Sequence, residues 1–454
     1  MLFRSRHEML RTTFDVVQGK TLQIIHADLP VAIRAGGSIV ESRLDEAIRS
    51  EIHRPFDLAR GPLIRAVIYD LEDRSAVLIV TMHHLVTDGW SLGVFVNEIS
   101  ACYRAFATGG RPALAPLEIQ YADFAEWERE RLDRLGEQQL DYWRAQLRAP
   151  VSATEVLPDH PRPLAPSAVG TTECFQLDVL PGARQLANGL GATLFMVLLA
   201  AFEVVLRRHT QADETVLGSP VAGRNHADIE PLIGFFVNTQ VLRVDVSGDP
   251  TFAELVARVR HTTLTAWDNQ DIPFDKLVSE LKPERPAGRR PFCDLMFALQ
   301  NAPRTELELP GLTIEILPVF TDTAKFDMTV ICEETQRQLE LRIEYDTDLY
   351  EAVTVRRLAA SFEQVIRAAC ADPQARIESM PVVVPGELED LLGARRGPVL
   401  NTSPETTLTG WFALTAARYP DRVAVCWQDE QLTYAALARR SASLARRQIG
   451  RAHV

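Results

Sequence analysis

Apolar and polar positions follow two different periods along this chain, and the changes of period mark its elements. The apolar, β-branched run Ala76–Thr81 predicts a buried strand. A 3.6-residue repeat begins near Ser91 and predicts a helix, which ends at the pair Gly109-Gly110. Tyr121–Leu147 predicts a second long helix.

A proline-rich segment, Ala149–Ser167, interrupts this pattern and predicts a loop or inter-lobe linker. The pattern then resumes with strands and helices: strands at Thr172–Val179, Glu214–Pro220, Leu295–Leu299, Leu312–Pro318, Met328–Glu333 and Leu339–Tyr345, and helices at Ala192–Thr210, Phe252–Trp267 and Val353–Ala371. Interleaved strands and helices in both halves predict two α/β lobes. Val384–Thr407 predicts another linker, and Leu408–Arg447 predicts a helix, a strand and a helix.

Composition and charge exclude several classes of protein. The 454 residues are 46% hydrophobic and carry a formal net charge of −13, which argues against a nucleic-acid partner. No apolar run reaches the roughly 18–20 residues that span a membrane, and the first residues lack the apolar core of a signal peptide. The six cysteines show no CxxC spacing, so neither a disulfide framework nor a zinc site is predicted. These features predict a cytoplasmic protein without a membrane partner.

The segment Met82–Ser91 contains the pattern HHxxxDG, formed by His83, His84, Asp88 and Gly89. A histidine at a strand end can present a ring nitrogen to a cleft and handle protons near neutral pH. The Asp-Gly turn bends the chain, and Asp88 or Ser91 can cap the following helix. Taken alone, such a pair is more often one packed and one exposed histidine, with Asp-Gly as a turn. Metal binding is not predicted, because no third ligand is evident.

Six segments resemble, in order, the motifs of the condensation domain of non-ribosomal peptide synthetases. They are Arg6–Phe14 (RHEMLRTTF), Met82–Ser91 (MHHLVTDGWS), Tyr121–Trp127 (YADFAEW), Ile233–Arg243 (IGFFVNTQVLR), Asn269–Leu277 (NQDIPFDKL) and Arg290–Asn301 (RPFCDLMFALQN). The resemblance extends to about Pro385, and Tyr419–Leu437 is similar to the beginning of an adenylation domain.

This resemblance implies an α/β fold like that of chloramphenicol acetyltransferase, in which two lobes form a V-shaped pseudo-dimer with the active site at their junction. The implied domains are a first lobe at 1–150, a linker at 151–165, a second lobe at 166–385, a linker at 386–407, the start of an adenylation domain at 408–447 and a non-native tail at 448–454. The family's first strand and helix are expected to be missing, and so is the nucleotide-binding core of the adenylation domain.

The activity that the resemblance implies is peptide-bond formation. An acceptor amine attacks a donor thioester, and upstream and downstream carrier proteins hold both substrates on phosphopantetheine, so the domain itself is expected to bind no cofactor and no metal. The sequences of the motifs resemble those of the subtype that joins an L-donor to an L-acceptor. The alternatives are a coenzyme A-dependent acyltransferase of the same superfamily, and a non-catalytic docking module or inactive fragment.

Roles carry over from the family to individual residues. His84 is implied to be catalytic, either as a general base or as a group that positions the amine, whereas His83 and Gly89 shape the site. For Asp88 we predict a structural ion pair with Arg224, with Arg11 as the second choice. Residues predicted to line the cleft are Trp90, Ser91, Asn238 and Gln240.

Overall fold

The structure is a computed structural model that describes residues 5–31, 33–72, 75–148, 154–283, 287–300, 309–395, 407–428 and 430–452. Its strands are β1 Thr12–Val17, β2 Lys20–Ile25, β3 Ile33–Ile39, β4 Ile64–Leu71, β5 Ala76–Met82, β6 Gly170–Leu177, β7 Glu214–Val221, β8 Asn238–Asp245, β9 Leu295–Gln300, β10 Met328–Glu334, β11 Leu339–Asp346, β12 Val423–Trp427 and β13 Glu430–Thr433. Its helices are α1 Leu44–His53, α2 Gly89–Ala107, α3 Tyr121–Gln146, α4 Leu180–Gly189, α5 Leu194–Thr210, α6 Phe252–Asp268, α7 Phe274–Leu281, α8 Ala352–Ala371, α9 Pro385–Arg395, α10 Leu408–Arg418 and α11 Tyr434–Ala452. The chain divides into two compact units, Met1–Val384 and Pro385–Val454. The predicted α/β class is confirmed.

The first half of the longer unit is built on a small mixed sheet. Strand β4 lies in its centre, parallel to β3 and antiparallel to β5, and β1 and β2 form a separate hairpin. The small core beneath this sheet joins Leu10 and Ile64 to Ile233, which comes from the second half of the chain. The two halves therefore share buried side chains next to the end of β5.

The second half contains a six-stranded sheet in the order β6-β11-β10-β9-β7-β8. Helix α5 is buried from Met196 to Leu206, and all residues of this stretch except Glu203 are apolar, as expected of a helix inside a core. The last turns of α3 contribute Leu140 and Trp143 to the same core. Helix α3 thus starts beside the first sheet and ends against the second.

No single helix in the described part of the chain has both the length and the apolar composition needed to span a membrane. The bent pair α4 and α5 meets that test only jointly, with an angle of 105° between the two helices.

One predicted element needs correction, and two other predicted segments contain helix. Leu312–Pro318, predicted as a strand, is irregular and pairs with no strand in the described residues; Leu312 and Ile316 are 56% and 73% exposed. Its alternating pattern suits a strand, but a strand also needs a neighbour to accept its hydrogen bonds. The linker predicted at 386–407 is occupied by α9 as far as Arg395, and 396–406 lie outside the described residues. The segment predicted as a non-native tail, 448–454, contains the end of α11, which reaches Ala452, and its non-native origin stays a prediction.

Candidate active site

A tight turn joins β5 to α2 and carries both histidines of the motif. Residues His84–Val86 form one 3₁₀ turn, and His83 caps it by accepting the Leu85 N–H at Nδ1, with 3.1 Å between the nitrogens. Burial lowers the pKa of His83, and its neighbours His84 and Lys325 lower it further. The neutral ring of His83 therefore carries its proton on Nε2 and serves to hold the turn.

His84 is the exposed histidine of the pair. Its ring lies edge-on to Phe235, with 5.0 Å between the ring centroids and an interplanar angle of 90°. In the described part of the chain no hydrogen bond occupies either of its ring nitrogens. His84 can therefore present an imidazole nitrogen to a substrate between the two halves.

Asp88 is buried, and its carboxylate is fully engaged by groups of the protein. It caps α2 by accepting the Ser91 N–H at 2.8 Å, and its second oxygen accepts the Phe236 N–H at 3.0 Å. Arg224 lies 3.3 Å away and completes a buried ion pair. Arg11, the second candidate partner, instead pairs with Glu8 at 3.0 Å. These contacts leave the carboxylate no role as a base in the cleft.

Arg224 links the motif to the loop between β7 and β8. Its other terminal nitrogen donates to the carbonyls of Ile229 and Leu232, and its guanidinium lies 4.0 Å from the centroid of the Phe236 ring. Burial lowers the pKa of Arg224, and the nearby Asp88 carboxylate opposes that change. The arginine therefore joins the start of α2 to this loop.

The structure corrects the prediction that Ser91 lines the cleft. Ser91 is fully buried; its hydroxyl donates to the Gly234 carbonyl at 2.9 Å and accepts from the Gly234 N–H and from Arg224. Trp90 is half-buried, and its indole N–H donates to the Glu230 carbonyl at 3.0 Å. Because both lie in the first turn of α2, which packs on the β7–β8 loop, both join the two halves.

Asn238 and Gln240 are two residues apart on β8, so their side chains lie on the same face of the strand. This face packs on α6 and on the loop following it. Gln240 is 3% exposed and donates to the Ala266 carbonyl near the end of α6, so it does not line the cleft as predicted. The half-buried Asn238 borders a cavity, but its amide donates to the carbonyls of Gln270 and Ile272. Both amides hold backbone in place.

Gly89 is exposed at the first position of α2. A Cβ built on Gly89 would lie 3.4 Å from Nε2 of Gln300, at the end of β9. A side chain at position 89 would therefore enter the narrow space between the two halves. Sequence reasoning missed Gln300, together with Phe235 and Tyr121, although all three stand inside motifs that it had recognised.

A cavity of about 180 Å³ lies between α3 and the loops that precede β8 and α7. Phe235 lines this cavity and also contacts His84. His84 itself does not line the cavity. Glu128 lines it from α3, and burial together with the nearby Asp271 carboxylate raises the pKa of Glu128. Asp271 itself pairs with Arg131 at 2.7 Å. In the described residues no group of three or more histidine, cysteine or acidic side chains could hold a metal ion.

Comparisons with known proteins agree on one family. The model of the condensation domain matches residues 2–392. A linear gramicidin synthase chain from Brevibacillus parabrevis is 38% identical over 97% of this chain, which corresponds to 6% of that relative. Bacitracin synthase 3 from Bacillus licheniformis is 34% identical, again over 97% of this chain and over 7% of its own length. The chain therefore spans a small part of the curated relatives that it matches.

Solved structures show the same architecture. The X-domain from teicoplanin biosynthesis superposes with a TM-score of 0.76 at 29% identity, covering 83% of this chain and 87% of that domain. The X-domain has also been solved in complex with OxyB. A four-domain nonribosomal peptide synthetase, bound to AMP and glycine, superposes with a TM-score of 0.79 at 21% identity, covering all of this chain and 35% of the synthetase. These matches confirm the fold that the sequence motifs imply.

Proposed function

Because this chain belongs to the condensation-domain family, we propose that it forms peptide bonds between two carrier-bound thioesters in nonribosomal peptide synthesis. The observation that carries this proposal is that His84 and Asp88, which belong to the same turn, have opposite surroundings. His84 is exposed with both ring nitrogens free of hydrogen bonds in the described residues, whereas Asp88 is buried against Arg224. The turn thus presents the His84 imidazole to substrates, and the buried ion pair of Asp88 holds the turn in place.

The proposed reaction needs no covalent enzyme intermediate, because the donor carbonyl is already activated as a thioester. The acceptor amine attacks that carbonyl carbon, the new C–N bond forms, and the C–S bond breaks to release the thiol of the donor arm. The amine loses one proton, and the departing sulfur gains one. The protein has to bring amine and carbonyl together and manage this proton.

His84 contacts the attacking amine in this proposal. Its imidazole either accepts the amine proton or holds the amine in line with the carbonyl. Both substrates arrive on phosphopantetheine arms of an upstream and a downstream carrier protein, so the domain requires no cofactor of its own. The residues of its motifs resemble those of the L-to-L subtype, which supports an L-configured donor.

The decisive experiment compares dipeptide formation by the wild-type chain and by His84→Ala, with donor and acceptor carriers loaded by chemical synthesis. A positioned acid or base contributes about 10²–10⁴-fold, so we expect His84→Ala to lose most of the rate while remaining folded. His83→Ala should lose less, because it removes only the cap of the turn. Equal dipeptide yields from wild type and His84→Ala would contradict the assignment of His84.

His84→Gln separates the two roles of the imidazole. Glutamine can accept or donate a hydrogen bond but does not take up a proton near neutral pH. A rate close to that of the wild type would indicate positioning, whereas a loss equal to that of His84→Ala would indicate proton transfer. Donors loaded with the D-amino acid test the stereochemical proposal in the same assay, and faster transfer from the D-donor would contradict it.

A second candidate function is the recruitment of another protein, since the 29% identical X-domain has been solved in complex with OxyB. The complete HHxxxDG motif in this chain favours catalysis. A wild-type chain that makes no dipeptide, and that binds a separate enzyme as tightly with His84→Ala as without it, would favour the docking function.

We also propose that residues 408–447 are the beginning of an adenylation domain. The match to the gramicidin synthase extends over 97% of this chain and so continues beyond the condensation model, which ends at residue 392. Residues 408–447 contain α10, the β12–β13 hairpin and most of α11.

A further inference from the structure

Three consecutive residues, Gly234–Phe236, are each fixed by a side chain from the first half of the chain. The Ser91 hydroxyl bonds both backbone groups of the first residue, at 2.9 and 3.1 Å. Tyr121 donates its hydroxyl to the Phe235 carbonyl at 2.7 Å, and Asp88 accepts the N–H of the third residue at 3.0 Å. The backbone on each side of Phe235 is therefore held in one position.

The close approach of this segment to Tyr121 depends on glycine at position 234. A Cβ built there would lie 2.2 Å from the Tyr121 ring, closer than any packed side chain allows. The same tyrosine ring packs against Phe236 with 5.0 Å between centroids. Tyr121 therefore supports the segment by shape as well as by its hydroxyl.

The ring of Phe235 meets the imidazole of His84 in the edge-on geometry that aromatic pairs favour. Phe235 is 37% exposed, so burial in a core does not account for its placement. Catalytic histidines are usually oriented by a hydrogen bond to a second group. In the described residues His84 has no such bond, and the contact of its ring with Phe235 stands in that place.

We propose that Phe235 is a positioning residue that holds the His84 imidazole in its working rotamer, and that the Tyr121 hydroxyl fixes Phe235 for this task. This inference rests on the proposed role of His84 in peptide-bond formation. An imidazole released from the contact would spread over the three staggered χ1 wells, which lowers the productive fraction about threefold. Further misplacement of the ring adds to that loss.

The kinetic test uses Phe235→Leu and Tyr121→Phe. Both should lower kcat about three- to tenfold and leave KM for each carrier-bound substrate unchanged, because substrates bind as before but meet a less ordered imidazole. Phe235→Tyr restores the aromatic ring and should restore kcat. The control is Tyr142→Phe, on the same helix, which loses a hydroxyl that donates to Thr265 at 3.2 Å and should keep the wild-type kcat. Wild-type kcat in Phe235→Leu would overturn the proposal.

A double variant separates positioning from a general structural role. In the His84→Ala background, Phe235→Leu should cause no further loss of rate, because its effect passes through the missing imidazole. The same fold loss in both backgrounds would show that Phe235 acts on something else. A wild-type chain that forms no dipeptide would contradict the proposed function. In that case the NMR signal of the His84 ring, which needs no turnover, still tests the positioning inference.

Histidine-selective ¹³C NMR tests the contact between Phe235 and His84 without turnover. Phe235→Leu should move the His84 ring signal, which is identified by its disappearance in His84→Ala. The matched control is Phe56→Leu, because Phe56 lies edge-on to His83 with 5.8 Å between centroids. That variant should move the His83 signal and leave the His84 signal in place. A His84 signal unchanged by Phe235→Leu would overturn the inference.

Discussion

Asp88 illustrates how the surroundings of a carboxylate decide its role. Three groups bind it: the Ser91 N–H, the Phe236 N–H and the Arg224 guanidinium. Two of them come from the second half of the chain. The side chain thus acts as a helix cap and as an anchor between the halves, whereas His84, four residues earlier, stays exposed.

Asp88→Asn should lower both stability and activity. The amide has one oxygen for two N–H donors, and its NH₂ group faces another donor, while Arg224 stays buried without its counter-charge. Breaking a buried pair in this way costs about 3–5 kcal/mol. Urea unfolding followed by circular dichroism measures the change in the free energy of unfolding. The control Glu46→Gln removes an exposed pair with Arg43 at 3.3 Å and should cost about 1 kcal/mol or less.

A double-mutant cycle with Arg224→Gln tests whether this cost comes from the pair. We expect a coupling energy of about 0.5–3 kcal/mol between the two positions. Additive effects of the two substitutions would contradict the ion pair as the source of the stability.

Helix α5 carries a carboxyl group through the middle of the core. Glu203 is fully buried; Thr215 donates its hydroxyl to one carboxyl oxygen, and the other oxygen has no partner among the described residues. Burial raises the pKa of Glu203 to about 8. The carboxyl is therefore protonated in the folded protein at neutral pH.

The Glu203 carboxyl should make stability fall as the pH rises. Between the ordinary pKa of about 4.5 and the folded value of about 8, the folded state binds more protons than the unfolded state, so the free energy of unfolding decreases through this window. Glu203→Gln cannot ionise and should flatten this decrease, so that the variant is more stable than the wild type at the alkaline end. Urea midpoints measured across the window provide the test.

The matched control for this measurement is Glu363→Gln on α8, which removes a half-buried carboxylate paired with Arg367 at 2.6 Å. It should leave the steepness of the pH dependence as in the wild type. A Glu203→Gln variant with the same pH dependence as the wild type would show that Glu203 does not ionise in this range.

The shorter unit, Pro385–Val454, contains the segment that we propose to be the beginning of an adenylation domain. Leu408 and Trp427 are 92% and 72% exposed in it. We expect the chain to show no amino-acid-dependent exchange of pyrophosphate into ATP, because residues 408–447 resemble only the beginning of an adenylation domain. A complete adenylation domain serves as the positive control. Exchange above background with the purified chain would contradict this interpretation.

Local sequence determined most of the elements and the identity of the reactive turn. A 3.6-residue repeat and a buried β-branched run are properties of neighbouring residues, so α2, α3, β5 and the strands of the second sheet other than β8 were predictable within a few residues. The motif at His83–Gly89 identified the candidate catalytic residue for the same reason. Elements with weak patterns, such as β3 and α1, were missed.

Only the tertiary structure decided which residues meet. Ser91 and Gln240 are polar residues that sequence reasoning placed in the cleft, yet each is buried because packing between elements supplies its hydrogen-bond partners. Phe235 touches His84 across about 150 residues of chain, a contact that no local period encodes. The segment Leu312–Pro318 has the pattern of a strand but finds no strand to pair with in the described residues. A pattern predicts how a segment can fold, whereas its partners depend on the whole chain.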